Sequence, residues 1–140
     1  MALRTTTTWW GVQLDAPDVH ELAHFYARLL DWQIFNEDET GAAVAPSADS
    51  GYYIGIQYES RYVRPVWPAV EGQQQMSMHL DFEVEDLDQA VAHAIEAGAV
   101  LATVQPQETV RVLFDPAGHP FCLYLDPATV GASSGDGAGG

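Results

Sequence analysis

The sequence contains no lysine, and only five arginines stand against twenty aspartates and glutamates, so the formal net charge is −15. A chain this acidic repels the phosphates of nucleic acids and the anionic lipids of a membrane surface, and we expect neither as a partner. The acidity instead favours solubility, and a negative field also concentrates a cationic ligand.

Cysteine and long apolar runs are scarce as well. Cys122 is the only cysteine, so no disulfide can form within the chain, which fits a reducing compartment. No apolar run approaches the roughly 20 residues that span a bilayer, and residues 1–8 lack the apolar stretch of a signal peptide. We therefore expect a cytoplasmic protein, with one domain over residues 1–129 and a disordered, Gly- and Ser-rich tail at 130–140.

The first half of the chain predicts a strand, a helix and three further strands, over residues 5–60. Asp18 and Glu21 form a capping box, and apolar residues follow at helical spacing. The predicted strands cover 5–15, 32–35, 42–45 and 52–59.

Residues 61–75 contain prolines, a glycine and a glutamine run without a clear period, and are interpreted as a linker. The same plan then restarts over 76–126. Asp86 and Gln89 repeat the cap, and Gly98 ends the second helix, whose predicted apolar face is Leu87, Ala90, Val91, Ala94 and Ile95. The predicted strands are 76–84, 99–104, 109–114 and 120–126. Because one βαβββ module cannot cover both faces of its sheet, the repeat predicts an α+β fold of two paired modules.

Four stretches resemble the vicinal oxygen chelate superfamily, in its glyoxalase-like and bleomycin-resistance-like branch: WWGVQLDAPDVHELAHFYARLLDW, YYIGIQYES, MHLDFEVEDLDQAVAHAIEAGA and FDPAGHPFCLYL. The resemblance implies paired βαβββ modules whose curled mixed sheets surround a central cleft, and a homodimer. It leaves the chemistry open, because the superfamily includes metal-dependent lyases, isomerases and dioxygenases as well as proteins that only sequester antibiotics.

The resemblance also implies metal ligands on the first and last strand of each module. Those positions hold Gly11 and His79 on the first strands, and Gly55 (or Gln57, at a register slipped by two) and Cys122 on the last strands. Only His79 is a residue of the expected type, so no metal or other cofactor is expected. A degenerate metal site would use His79, Gln57 and Cys122, and in an enzyme His79 would be a metal ligand or the general base.

Strand alternation places one set of aromatic and polar residues on the cleft faces, and Trp67 and His119 at the entrance. The predicted ligand-binding residues are Trp9, Gln13, Tyr53, Gln57, Trp67, His79, Asp81, His119, Cys122 and Tyr124. Packing explains any one of them, and Trp9 also suits a dimer interface, but the set favours a flat, partly polar organic ligand. We therefore expect a protein that binds or sequesters an aromatic or cationic natural product, as in antibiotic resistance. The alternative is a glyoxalase-like lyase, isomerase or dioxygenase. The helical histidines are interpreted as surface or boundary residues: His20, His24 and His93.

Overall fold

The computed structural model describes residues 1–128, and the predicted tail at 130–140 lies outside the described residues. The chain divides into two compact units, Met1–Val63 and a second that begins at Arg64. The elements of the first unit are β1 (Trp10–Ala16), α1 (Val19–Leu30), β2 (Gln33–Phe35), β3 (Gly41–Ala45) and β4 (Tyr52–Tyr58). Those of the second are β5 (Leu80–Glu83), α2 (Leu87–Ala97), β6 (Val100–Leu101), β7 (Val110–Phe114) and β8 (Pro120–Tyr124).

Each unit forms one four-stranded mixed sheet, with strand orders β1-β4-β3-β2 and β5-β8-β7-β6. The first and last strands of each unit are parallel neighbours, and the remaining pairs are antiparallel. This architecture confirms the predicted α+β class of two βαβββ modules. Neither helix in the described part of the chain is long and apolar enough to cross a membrane.

The helices begin where the capping residues predicted. Asp18 accepts a hydrogen bond from the backbone N–H of Glu21 at 3.1 Å, and Asp86 accepts one from Gln89 at 3.0 Å. These bonds satisfy backbone donors that a helix N-terminus leaves free. Gly98 ends α2 with a φ of 126°, which a side chain would disfavour.

The core of each unit lies between its helix and one face of its sheet. In the first unit Phe25 and Tyr26 of α1 are fully buried, together with Ile56 of β4. Burying a side chain of this size contributes about 1.5–3 kcal/mol. In the second unit α2 buries mainly small residues, and the prediction that Ile95 belongs to its apolar face is wrong because Ile95 is 48% exposed.

Three predicted strands are shorter than expected by four residues or more, whereas the others differ by at most two. Residues 5–9 do not extend β1, because Thr5 and Thr8 form a local turn in which the N–H of Thr8 donates to the carbonyl of Thr5. Residues 76–79 do not extend β5: the neighbouring β8 starts at Pro120, which has no N–H to donate.

The strand predicted over 99–104 ends at Leu101: one further backbone bond runs from the N–H of Ala102 to the carbonyl of Val112, and a side chain then takes over the pairing. The carboxamide of Gln105 donates to the carbonyl of Val112 at 2.9 Å and accepts from the N–H of Val112 at the same distance. It also donates to the carbonyl of Ala102 at 3.0 Å. The edge of β7 is therefore paired with a glutamine side chain in place of a longer strand.

Candidate functional site

The sheet face of the first unit that points away from α1 is covered by its own side chains. The register of β1 and β4 places Gly11 beside Tyr53 and Gln13 beside Gly55. A Cβ on Gly11 would lie 2.6 Å from the Tyr53 ring, and a Cβ on Gly55 would lie 2.3 Å from Nε2 of Gln13. Neighbouring side chains thus occupy the space that a metal-ligating side chain at Gly11 or Gly55 would need.

Gln57 follows in the same row, and its side chain is already engaged. Its Nε2 donates to Oδ1 of Asp15 at 2.7 Å, across the parallel pair of strands. Both residues belong to the first unit, so this part of the expected degenerate metal set serves as a cross-strand hydrogen bond.

A cavity of about 520 Å³ is built entirely from residues of the first unit. Its aromatic walls include Trp9 and Tyr53, whose ring centroids are 6.4 Å apart. Alanines on alternate positions of β3 leave the floor open, and Asn36 contributes the polar side chain. The size falls within the range of about 300–1,000 Å³ that is usual for small-molecule sites. The full lining is Trp9, Phe35, Asn36, Ala43, Ala45, Ala48 and Tyr53.

The corresponding face of the second unit carries a cluster of three potential metal ligands. The parallel register of β5 and β8 sets Asp81 beside Cys122, and His79 precedes them on the same face. Nε2 of His79 lies 3.0 Å from Oδ1 of Asp81. The ligand atoms of His79, Asp81 and Cys122 all lie within 4.8 Å of one another.

The thiol of Cys122 is not an activated nucleophile in this arrangement. Burial raises its pKa most, and the charge of Asp81 and a hydrogen bond to that carboxylate raise it further, to about 11. The thiol therefore keeps its proton at neutral pH, whereas cysteine nucleophiles react as thiolates. A bound divalent cation would reverse this balance, because coordination deprotonates a thiol.

The donor set of the cluster fits a divalent metal of borderline softness. Imidazole, carboxylate and thiolate are the ligands of zinc, and three protein ligands with an open fourth position are typical of catalytic zinc sites. The side chains of His79 and Asp81 are 37% and 55% exposed, so a water or substrate could complete the coordination. Zinc held there would supply a Lewis acid. Within the second unit, Asp81 thus joins His79 and Cys122 of the expected degenerate set as a third possible ligand.

A second cavity, of about 180 Å³, adjoins this cluster within the second unit. Trp67 forms one wall and packs edge-on against Phe114, with ring centroids 6.4 Å apart. His79 and Cys122 line the same space, so a molecule bound there would contact two members of the cluster. The lining is Trp67, Met76, His79, Pro106, Gln107, Val110, Val112, Pro120 and Cys122.

His119, expected at the entrance, is engaged by the turn that precedes β8. Its Nδ1 lies 2.8 Å from the carboxylate of Asp115, which is fully buried. The same carboxylate accepts hydrogen bonds from the backbone N–H groups of Ala117 and His119 at 2.9 and 3.0 Å. The Asp115–His119 pair holds the turn together, and His119 lines neither of the two cavities described above.

The predicted ligand-binding residues therefore separate into groups. Trp9 and Tyr53 line the first cavity, whereas Trp67, His79 and Cys122 line the second. Asp81 joins the metal-type cluster. Others make contacts inside their own unit or lie half-buried on a strand: Gln13, Gln57, His119 and Tyr124. Phe35 and the alanines of β3 were missed, although the alternation of small residues in the strand GAAVA indicates an open sheet face.

The fold is similar to that of several solved structures. A glyoxalase/bleomycin resistance protein/dioxygenase family enzyme from Burkholderia phytofirmans PsJN matches with a TM-score of 0.60 and 19% identity, covering 82% of this chain and 95% of that one. The fosfomycin resistance protein FosX from Mesorhizobium loti matches with a TM-score of 0.62 and 12% identity, covering 93% and 98%. FosX from Listeria monocytogenes, complexed with Mn(II) and 1S,2S-dihydroxypropylphosphonic acid, matches with a TM-score of 0.60 and 13% identity, covering 89% and 90%. At these identities the matches show the fold alone.

No curated protein matches the chain. A family model described as a glyoxalase-like domain matches residues 11–124, which is most of the sequence and nearly all of both sheets. The two βαβββ units and the solved structures agree with this match. The chain therefore belongs to the glyoxalase-like domain family of the vicinal oxygen chelate superfamily.

Proposed function

We propose that this protein binds and sequesters a small aromatic, cationic organic molecule, with the aromatic cavity of the first unit as the binding site. The observation that carries the proposal is the cavity of about 520 Å³ between Trp9 and Tyr53. Flat ligands stack on or against aromatic walls of this kind, and such contacts add about 0.5–1.5 kcal/mol beyond the burial of area.

Charge supports a cationic ligand. Asn36, in the lining, is followed directly in the chain by Glu37, Asp38 and Glu39, and the whole protein carries a net charge of −15. A negative field raises the local concentration of cations, and an aromatic face also attracts a positive charge. An anionic ligand would meet repulsion from the same groups.

A titration against aromatic cations and neutral aromatic natural products tests the proposal. Trp9→Ala should weaken the binding of a hit by at least about tenfold, which corresponds to about 1.4 kcal/mol. Trp10→Ala is the matched control: its ring contacts Tyr52 and is 57% exposed, and we expect a change within about twofold.

The bound molecule should then be recovered unchanged after release and identified by mass spectrometry. Equal losses in the Trp9 and Trp10 variants would place the site elsewhere, and recovery of a converted product would contradict sequestration.

The cluster of His79, Asp81 and Cys122 favours a second candidate function, a metal-dependent lyase, isomerase or dioxygenase. The supporting observation is that the cluster adjoins a cavity and offers a donor set that suits zinc. Cobalt substitution tests this candidate, because a cobalt–thiolate bond has its own charge-transfer absorption. The absorption should appear in the unaltered chain and disappear in Cys122→Ser, while Glu83→Gln, which changes the neighbouring carboxylate on the strand, should retain it.

The resemblance also implies a homodimer, and we include that assembly in the proposal. Sedimentation equilibrium of the full chain at micromolar concentration measures it directly, and a monomer under those conditions would contradict it.

A further inference from the structure

Two histidines on α1 contact one carboxylate oxygen of the turn that follows β2. Nδ1 of His20 lies 2.5 Å from Oε2 of Glu37, and Nε2 of His24 lies 2.9 Å from the same oxygen. The contacts join residues 17 and 13 positions apart in the chain. Two imidazoles thus share one carboxylate oxygen at the surface of the first unit.

The local structure explains why these groups meet. Residues four apart lie on one face of an α-helix, so His20 and His24 stand one above the other on α1. The turn that carries Glu37 is itself ordered by Asp38, whose Oδ1 accepts hydrogen bonds from the N–H groups of Thr40 and Gly41 at 2.8 and 3.1 Å. The helix therefore fixes the positions of the two histidines, and the ordered turn fixes that of Glu37.

The histidines were interpreted as surface residues, and their exposure confirms that interpretation: each side chain is 50% exposed. Their spacing of four, however, is also the spacing at which two imidazoles on one helix bind the same metal ion. The sequence shows the spacing of the two histidines. It does not show that Glu37 contacts them, because Glu37 lies 17 and 13 residues further along the chain.

The surroundings favour a cation. Asp18 and Glu39 act on His20 with their negative charges, and Asp38 also lies within electrostatic reach of it. The half-exposed imidazoles leave solvent access for an incoming ion.

We propose that His20, His24 and Glu37 form a surface site for a divalent transition metal that imidazole prefers, such as Zn²⁺, Ni²⁺ or Cu²⁺. Two imidazole nitrogens and one carboxylate oxygen provide three ligands, and water completes the coordination. The Glu37 oxygen now contacts both nitrogens, so the ion binds when the carboxylate moves aside and the two half-exposed imidazoles turn toward the ion. This donor set predicts tighter binding of Ni²⁺ than of Mn²⁺, and no appreciable binding of Mg²⁺.

The second unit offers an internal comparison. When the helix caps Asp18 and Asp86 are aligned, the positions of His20 and His24 correspond to Asp88 and Ala92. The helix of the second unit therefore lacks the histidine pair, and the proposed site is specific to the first unit. The proposal does not depend on the aromatic cavity, although Glu37 also contributes to the negative field described above.

A Ni²⁺ titration by calorimetry on the chelator-stripped full chain tests the site. The reference protein carries His79→Ala, so that the cluster of the second unit does not contribute. It should bind one equivalent of Ni²⁺, and adding His24→Gln or Glu37→Gln should weaken that binding by at least about tenfold, as expected when a metal site loses a group that supports it. His93→Gln, which alters an exposed histidine of α2, should leave the affinity within about twofold.

Two results would overturn the proposal. One is a reference protein that binds no Ni²⁺. The other is an affinity that His24→Gln and His93→Gln lower equally, as for nonspecific surface imidazoles. Because all the altered side chains are at the surface, circular dichroism should confirm that each variant is folded, and a rise in melting temperature with Ni²⁺ should be lost in His20→Gln/His24→Gln.

Discussion

The two units place different residues at corresponding points of their two sheets. Alignment of the helix caps sets Gly11 against His79 and Gln13 against Asp81, and the strand registers then set Gly55 against Cys122. In the first unit, glycines let the neighbouring strand cover the face. In the second, three polar side chains are left to contact one another.

The helix caps and apolar faces are therefore the same in both units, but they do not determine which functional groups the other face of each sheet carries. The chemistry depends on pairs of positions on adjacent strands. Where one position is glycine, a large side chain of the neighbouring strand lies over it. Where that position holds a possible metal ligand, there is no room for such a side chain. The variants below test whether the residue at one position of each pair controls the packing or reactivity of the residue at the other.

The largest effect is expected at Gly11, because the ring that covers it is bulky. Gly11→Ala should lower the free energy of unfolding by about 1–3 kcal/mol, the usual cost of overpacking, since the new Cβ would lie 2.6 Å from Tyr53. In a Tyr53→Ala background the same change should become neutral or stabilising. Within a strand, alanine is more favourable for stability than glycine by about 0.5–1 kcal/mol.

Urea denaturation of the four proteins of this double-mutant cycle measures the coupling between the two positions. Equal effects of Gly11→Ala in both backgrounds would show that Tyr53 does not restrict this position.

In the second unit, the polar contacts should control the reactivity of Cys122. Asp81→Asn should increase its rate of alkylation by iodoacetamide at pH 8 by up to about tenfold, the effect of one pKa unit on the thiolate fraction. The sign follows from the charge: Asp81 raises the pKa of the thiol, so its removal lowers that pKa and exposes more thiolate.

Because Cys122 is the only cysteine, the alkylation rate reports on this position alone. Glu83→Gln is the control on the same strand. If it increases the alkylation rate as much as Asp81→Asn does, the effect comes from the overall negative charge and not from the contact with Asp81.

Gly55 should be more tolerant than Gly11, although a Cβ there would lie even closer to a neighbour. The obstructing atoms are the flexible end of Gln13, which is exposed and can rotate away. A rotamer penalty of about 0.5–1.5 kcal/mol then opposes the gain of about 0.5–1 kcal/mol from replacing glycine in a strand.

The free energy of unfolding of Gly55→Ala should therefore differ little from that of the unaltered chain, as measured by urea denaturation. A loss as large as that of Gly11→Ala would mean that Gln13 is held as firmly as the Tyr53 ring.

A small effect that varies with pH is expected from the histidine contact, which the second unit lacks. The hydrogen bond to Glu37 raises the pKa of His20 above 6.5, and the hydrogen bond to His20 lowers the pKa of Glu37 below 4.5. The first shift stabilises the fold at pH values below 6.5 and is lost as the pH rises through the raised pKa. The second stabilises it above 4.5 and is lost as the pH falls through the lowered pKa.

Both contributions are present between about pH 4.5 and 6.5. The difference in melting temperature between the unaltered chain and His20→Gln, measured with a chelator present, should thus be largest near pH 5.5 and shrink by pH 8. A difference that does not vary with pH would contradict an ionic contact. Asp18 and Glu39 also raise the pKa of His20, so the measured difference includes their attraction to the protonated ring, with the same sign as that of Glu37.

Local signals predicted the framework well. The caps Asp18 and Asp86 correctly predicted the starts of both helices, and strand alternation placed Cys122 on the face opposite Phe121 and Leu123, which are buried. The errors arose where a partner distant in sequence decides the outcome. Gln105, for example, ends β6 because its side chain bonds Val112, and no local pattern indicates that contact.

The site was harder to predict for the same reason. The choice of His79 and Cys122 as ligand positions followed from the family resemblance, but the part played by Asp81 depends on the register between β5 and β8. Likewise, Tyr53 was predicted as a wall, whereas its cover over Gly11 depends on the register of β1 and β4. Sequence patterns define faces, and register defines which side chains meet on them.

The parallel pairing of first and last strands has a consequence for how each unit folds. Trp10 pairs with Tyr52, and Leu80 pairs with Phe121, so each first strand finds its sheet neighbour about forty residues later in the chain. During synthesis the first strand of a unit therefore has no sheet partner until that unit is almost complete, whereas the helix next to it can already form. Closure of this long loop should limit the rate of folding, and each unit should gain its native sheet in one late step.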